Sequence, residues 1–147
     1  ILEQLQDPGN LGTILRTAEA AGCTGIIMSR DTVDIYNPKV IRSTMGAVYR
    51  VPFFYAEQLE ETVMRLREKG FLIYGAHLQG SVSFECPDYR VPCACMIGNE
   101  GNGLSDSLAS LSHQRIRIPM EGKAESLNAA VSAALIMYEA YRQRRGG

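Results

Sequence analysis

An α/β fold, with a parallel sheet flanked by helices, is predicted by two features of the 147-residue sequence: apolar runs alternate with helical patterns, and the runs are short and continuous. Gly25-Ile26-Ile27-Met28 is such a run and fits a strand covered on both faces. Strands of that kind alternating with helices call for parallel pairing through crossover connections. At 46% hydrophobic residues the chain can bury one core, and 1–147 is read as one domain.

Taken in order, Ile1 to Leu5 reads as the end of a first strand, and Asp7-Pro8-Gly9-Asn10 as a turn capping a helix from Leu11 to Ala21. Gly22 closes that helix, Ile14, Leu15, Ala18 and Ala21 supply its apolar face, and Arg16 lies off that face. Asn37-Pro38 opens a second helix running to Gly46, with proline at its favoured first position. Val51 to Tyr55 is strand-like, Leu59 to Lys69 is an amphipathic helix closed by Gly70, and Phe71 to Ala76 is another strand. Ser83 to Val91 reads as loop, Cys93 to Ile97 as strand, Leu104 to Leu111 as a short helix and Arg115 to Ile118 as the last strand.

The closing helix is expected from Ser126 to Arg145, with Ser126 as its N-cap and an apolar face of Leu127, Ala130, Val131, Ala134, Leu135, Tyr138 and Tyr141. Upstream, Gly98-Asn99-Glu100-Gly101-Asn102-Gly103 places three glycines in six positions after a buried strand, which predicts main-chain amides open to a ligand. It is neither a Walker loop nor a dinucleotide fingerprint. Strands thus end in polar turns near residues 77, 98 and 119, and in an open parallel sheet the ligand binds at the carboxyl ends of strands.

Fifteen basic and sixteen acidic residues give a net charge of −1, so any contact with nucleic acid must come from local patches. Candidates are Lys39/Arg42/Arg50, Arg65/Arg67/Lys69, Arg115/Arg117 and Arg142/Arg144/Arg145, each of which is also compatible with a solvated face. Cys93 and Cys95 point the same way into a core as free thiols, and His77 and His113 stand in unrelated segments, so no metal site is expected. There is neither a run of eighteen apolar residues nor a leader pattern, and the chain is expected in the cytoplasm without a membrane partner.

Three blocks, in order, carry a resemblance: 7–18 (DPGNLGTILRTA), 97–104 (IGNEGNGL) and 118–132, from Ile118-Pro119-Met120 to Glu125-Ser126-Leu127-Asn128-Ala129-Ala130-Val131-Ser132. Asn37-Pro38-Lys39 to Ser43, with Gly46-Ala47, adds a fourth. Together they resemble the SpoU, or TrmH-like, branch of the SPOUT RNA methyltransferases. The resemblance implies a parallel sheet with a C-terminal trefoil knot, where spacing alone would give an unknotted doubly wound sheet. It implies S-adenosylmethionine as cofactor, a homodimer with sites near the subunit interface, RNA (rRNA or tRNA) as substrate and methyl transfer to a ribose 2′-hydroxyl. A further N-terminal RNA-binding domain is expected, and a non-catalytic RNA-binding or dimerisation module of the same fold is the alternative.

By the same resemblance Asn10, Arg16, Glu100, Ser126 and Asn128 form the catalytic shell, and Ala76, His77, Leu78, Gly98, Asn99, Glu100, Ile118, Met120 and Leu127 surround the cofactor. A guanidinium stays protonated, so Arg16 is expected to hold a phosphate with its fork and to stabilise developing oxyanion character rather than to act as base.

Overall fold

The computed structural model describes residues 1–146. The elements in chain order are α1 (Pro8–Ala21), β1 (Ile26–Ser29), α2 (Pro38–Ser43), a 3-10 turn (Ala47–Tyr49), β2 (Phe53–Ala56), α3 (Leu59–Glu68), β3 (Leu72–Ala76), β4 (Val82–Ser83), β5 (Cys93–Met96), α4 (Asp106–Ala109), β6 (Gln114–Arg117) and α5 (Ala129–Arg144).

Every strand pair is parallel: β1 with β2, and β4, β6, β3 and β5 side by side in that order. The expected first strand is reduced to Ile1–Glu3, but its place is central. Leu2 bridges Met28 on one side and Ile97 on the other, joining the two groups of strands into one sheet. Its N–H donates to Ile27 O at 2.8 Å, and the Glu3 N–H donates to Ile97 O at 2.9 Å. The last strand, β6, lies between β3 and β4.

The sheet is covered on both faces, as its continuous apolar runs demand. One core gathers Leu11, Ile14, Leu15 and Ala18 of α1 with Met28, Val40, Ala133 and Ile136; the other gathers Leu59, Val63, Ile73, Met96 and Leu108 around α3 and α4. Asp7 starts α1 by accepting from the Gly9 N–H at 2.7 Å, and Gly22 ends it in the left-handed conformation at φ 78°.

Two sequence expectations are corrected here. The apolar face assigned to α5 is only partly right: Ala130 is buried as expected, but it is joined by Ala133 and Ile136, while Val131, Leu135 and Tyr138 are 47%, 39% and 45% exposed. Apolar residues occur on both sides of this helix, so spacing shows two candidate faces and cannot choose between them. The 83–91 loop is also more than a connection. It contains part of β4 and the fully buried Tyr89, packed edge-on against Tyr74 at 5.3 Å, and Gln143 of α5 accepts from its N–H at 2.9 Å.

Candidate active site

At the carboxyl end of the sheet the chain forms a cleft of about 800 Å³, lined in part by Asn10, Lys39, Asn99, Glu100, Ser126, Leu127 and Asn128. Three separate segments meet there through side chains. The Asn10 amide Nδ2 donates to Glu100 Oε2 at 3.2 Å, and the Asn128 Nδ2 donates to Asn10 Oδ1 at 3.1 Å. Asn128 Oδ1 then accepts from the N–H groups of Ala130 at 2.8 Å and Val131 at 3.2 Å.

The polarity of this relay is fixed from both ends. A carboxylate can only accept, so Asn10 presents its NH₂ to Glu100 and its carbonyl to Asn128. A helix N-terminus can only donate, so Asn128 presents its carbonyl to α5 and its NH₂ to Asn10. The N-cap of α5 is therefore Asn128, which corrects the expectation of Ser126. Ser126 is two residues too early to reach the first free amides, and it stays exposed in the cleft lining.

Glu100 is held by main-chain donors that sequence reasoning missed. Its carboxylate accepts from the Gln6 N–H at 2.9 Å and the Asp7 N–H at 2.7 Å. Partial burial acts to raise its pKa, but these N–H groups, its own N–H and the Asn10 amide together outweigh that and hold the carboxyl below its ordinary value. The turn that aims those amides is made by Gln4, a non-glycine residue at φ 53°, whose carbonyl accepts from Asn99 Nδ2 at 2.7 Å. No composition or spacing signal marks Gln4; the signal lies in its backbone conformation.

The glycine loop is organised differently from the expectation. Asn99 Oδ1 accepts from Gly101 N–H at 2.8 Å and Asn102 N–H at 3.0 Å, while Asn99 and Gly103 pair through their main chains, so most loop amides serve the loop itself. A Cβ on Gly98 would stand 2.1 Å from Gly103 C and Leu104 N, so glycine is required there by the loop's return. Free donors remain nevertheless: among the described residues, the N–H groups of Leu78, Gly98, Met120 and Leu127 make no hydrogen bond.

The remaining expected residues fall in two places. Ala76 ends β3, and His77, Leu78, Gly98, Ile118 and Met120 follow the ends of the neighbouring strands β3, β5 and β6, where His77 N–H donates to Ile116 O at 3.1 Å; none of the six lines the cleft itself. Arg16 is outside the cleft lining, exposed on α1 about 9 Å farther along the helix axis than Asn10. Lys39, at the start of α2, lines the cleft, although sequence reading placed it in a basic patch and in the fourth motif block and not among the site residues.

A second cavity, of about 460 Å³, lies at the amino ends of the strands between the sheet and α1 and α5, and includes Cys23, Cys93 and Cys95. Burial raises the Cys93 and Cys95 thiols, the latter to about 12, so neither is a ready nucleophile; Cys23 lies exposed at the cavity's edge. Cys93 and Cys95 pack against the main core, as the sequence indicated.

Comparison with known proteins accords with this geometry. A model of the SpoU rRNA Methylase family matches residues 1–138. The 23S rRNA (guanosine(2553)-2′-O)-methyltransferase RlmP of Bacillus subtilis is 36% identical over 138 residues, covering 94% of this chain and 55% of that protein. An AdoMet-bound rRNA methyltransferase from Sinorhizobium meliloti superposes with a TM-score of 0.91 at 40% identity, over 96% of this chain and 54% of that one. The SpoU methyltransferase AviRb from Streptomyces viridochromogenes, in complex with AdoMet, gives 0.89 at 35% identity, over 99% of this chain and 60% of that one. The chain thus spans a little over half the length of these proteins. With the family model matched over nearly all its length, the chain belongs to the SpoU rRNA methylase family.

Proposed function

We propose that residues 1–147 are the catalytic domain of an S-adenosylmethionine-dependent RNA methyltransferase acting on a ribose 2′-hydroxyl of rRNA or tRNA in the cytoplasm. The observation that carries this reading is the Glu100–Asn10–Asn128 relay, which ties three chain segments to one cleft at the carboxyl end of the sheet. The named activity of RlmP and the AdoMet complexes of the Sinorhizobium and Streptomyces proteins support it.

The residues present fit the cofactor. Free main-chain donors at Leu78, Gly98 and Met120, after the ends of the neighbouring strands β3, β5 and β6, and at Leu127 in the cleft lining suit its polar groups. When bound, it supplies an activated methyl group and its own leaving group. The work left to the chain is positioning. Asn128 and Asn10 fix the cleft wall, and Ser126 offers an exposed hydroxyl to the ribose. Arg16, with no hydrogen-bonding partner among the described residues, is free to grip a phosphate of the bound RNA with its fork and so hold the ribose in register with the cleft. A homodimer is supported by the exposed Val131, Leu135 and Tyr138 of α5, an apolar face that a second copy would cover.

Titration calorimetry of S-adenosylmethionine into the folded chain tests the reading. Saturable binding is expected, weakened at least tenfold in Asn128→Ala, where both the helix cap and the bond to Asn10 are lost. Absence of binding by the folded wild-type chain sinks the proposal. Arg16→Lys keeps the charge and loses the fork, so it is expected to retain cofactor binding and to lose most methyl transfer.

A further inference from the structure

Of the basic clusters in the sequence, the structure leaves one free beside the cleft. Arg30, Arg50, Arg90 and Arg142 are paired with Glu57, Glu19, Asp88 and Glu139. Arg115 and Arg117 donate to the carbonyls of Gln79 and Ser81, Arg144 to that of Tyr89 and Arg67 to that of Leu111. Arg65 and Lys69 sit at the end of α3 with Glu60, Glu61 and Glu68 on the same helix, and Lys123 stands between Glu121 and Glu125. Arg145, at the end of α5, lies over Tyr141, whereas Arg16, Lys39 and Arg42 are exposed, have no acidic partner among the described residues, and stand on the two helices whose N-terminal ends line the cleft.

These three lie along one helix pair that leads away from the cleft. Lys39 shares the cleft lining with Pro8 and Asn10, a Cβ on Gly12 would stand 2.2 Å from Ser43 Cβ, and Glu19 pairs with Arg50. The N-terminal end of α1 therefore meets the start of α2, and both chains run outward together. Arg42 is one turn beyond Lys39, and Arg16 one turn beyond Gly12, the position where α1 meets α2. The carboxylates nearest the cleft end of this track are already engaged by N–H groups, Asp7 capping α1 and Glu100 held by Gln6 and Asp7. Glu19 marks the far end, where Arg50 is neutralised.

We propose that Lys39 and Arg42 form, with Arg16, an electrostatic track for the phosphodiester backbone of the RNA strand flanking the target nucleotide. This rests on the methyltransferase reading and specifies how a chain of net charge −1 binds RNA: a short uncompensated strip, opening directly into the cleft. Phosphate contacts of this kind set register and carry little sequence information.

The test measures binding of a fluorescein-labelled, mixed-sequence single-stranded RNA by anisotropy over a salt series, with cofactor calorimetry in parallel. Lys39→Ala/Arg42→Ala is expected to weaken RNA binding by about tenfold per site and to flatten the log K against log [salt] slope by about 0.7 per lost contact. Arg42→Ala, which lies off the cleft lining, is expected to keep wild-type cofactor affinity, and Lys69→Ala wild-type RNA affinity. An unchanged slope in the double variant, or an equal loss in Lys69→Ala, overturns the track. So does a wild-type chain that binds S-adenosylmethionine but no RNA at low salt, and that result leaves the cofactor reading standing. A folded chain that binds neither overturns both.

Discussion

The two ends of one sheet make two cavities of opposite character. At the carboxyl end the strands stop at different segments, free N–H groups remain, and a carboxylate and two amides are locked into a relay. At the amino end the same strands enclose an apolar space beside α1 and α5, where burial keeps thiols protonated. The difference follows from parallel pairing. All strands point one way, so their unpaired donors and the N-terminus of α5 converge at one end. Polar groups able to meet a ligand gather at that end, and the other end contributes packing.

The sharpest way to break the comparison is at Gly98, where the polar end depends on close packing. Gly98→Ala forces a methyl group onto the Gly103–Leu104 backbone, which cannot rotate away. We expect a loss of about 3 kcal/mol in urea unfolding together with loss of cofactor binding. Gly122→Ala, which meets nothing within 4 Å, is expected to be neutral, and equal behaviour of the two variants would contradict the packing account.

A smaller effect is expected at Glu100. Glu100→Gln keeps the shape but removes the charge that the Gln6 and Asp7 amides face, and puts an NH₂ group toward donors. For this partly exposed group, about 1 kcal/mol of stability should be lost, with a larger fall in cofactor affinity. The pH dependence has a definite sign. The folded carboxyl titrates below its unfolded value, so its contribution is complete above the unfolded pKa and disappears as pH falls through the folded one. The wild-type chain should therefore lose more stability on acidification than Glu100→Gln, and parallel pH profiles would remove Glu100 from the relay's support.

Much of this was legible in the sequence because it depends on local chemistry. Gly22 marks the end of α1, although the helix begins at Pro8 rather than at the expected Leu11; continuous apolar runs mark buried parallel strands, and of the polar turns after strands the one after β5 lies at the cleft. What stayed hidden depends on tertiary placement. Spacing could not choose between the two apolar faces of α5, nor show that Asn128 rather than Ser126 caps it, because both are good capping residues. Neither could it reveal Gln4, whose left-handed backbone is imposed by pairing across the sheet, or place Lys39 in the cleft. The blocks around Asn10, Glu100 and Asn128 were recognisable as motifs; the relay that unites them spans 118 residues and exists only in the fold.

The smallest expected effect sharpens the comparison from the other side. Cys95 sits at the apolar end, packed against the main core and lining the second cavity. Cys95→Ala removes one sulfur atom and enlarges a space that already exists, so the loss of stability should stay near 1 kcal/mol or below. Because no hydrogen bond links Cys95 to the relay, cofactor affinity should not change. Its thiol, pushed up to about 12 by burial and then by the neighbouring Cys93, should also react far more slowly with iodoacetamide at mild alkaline pH than the exposed Cys86. A Cys95→Ala chain that binds cofactor more weakly would show that the two ends are coupled through β5, and that the division of labour along the sheet is incomplete.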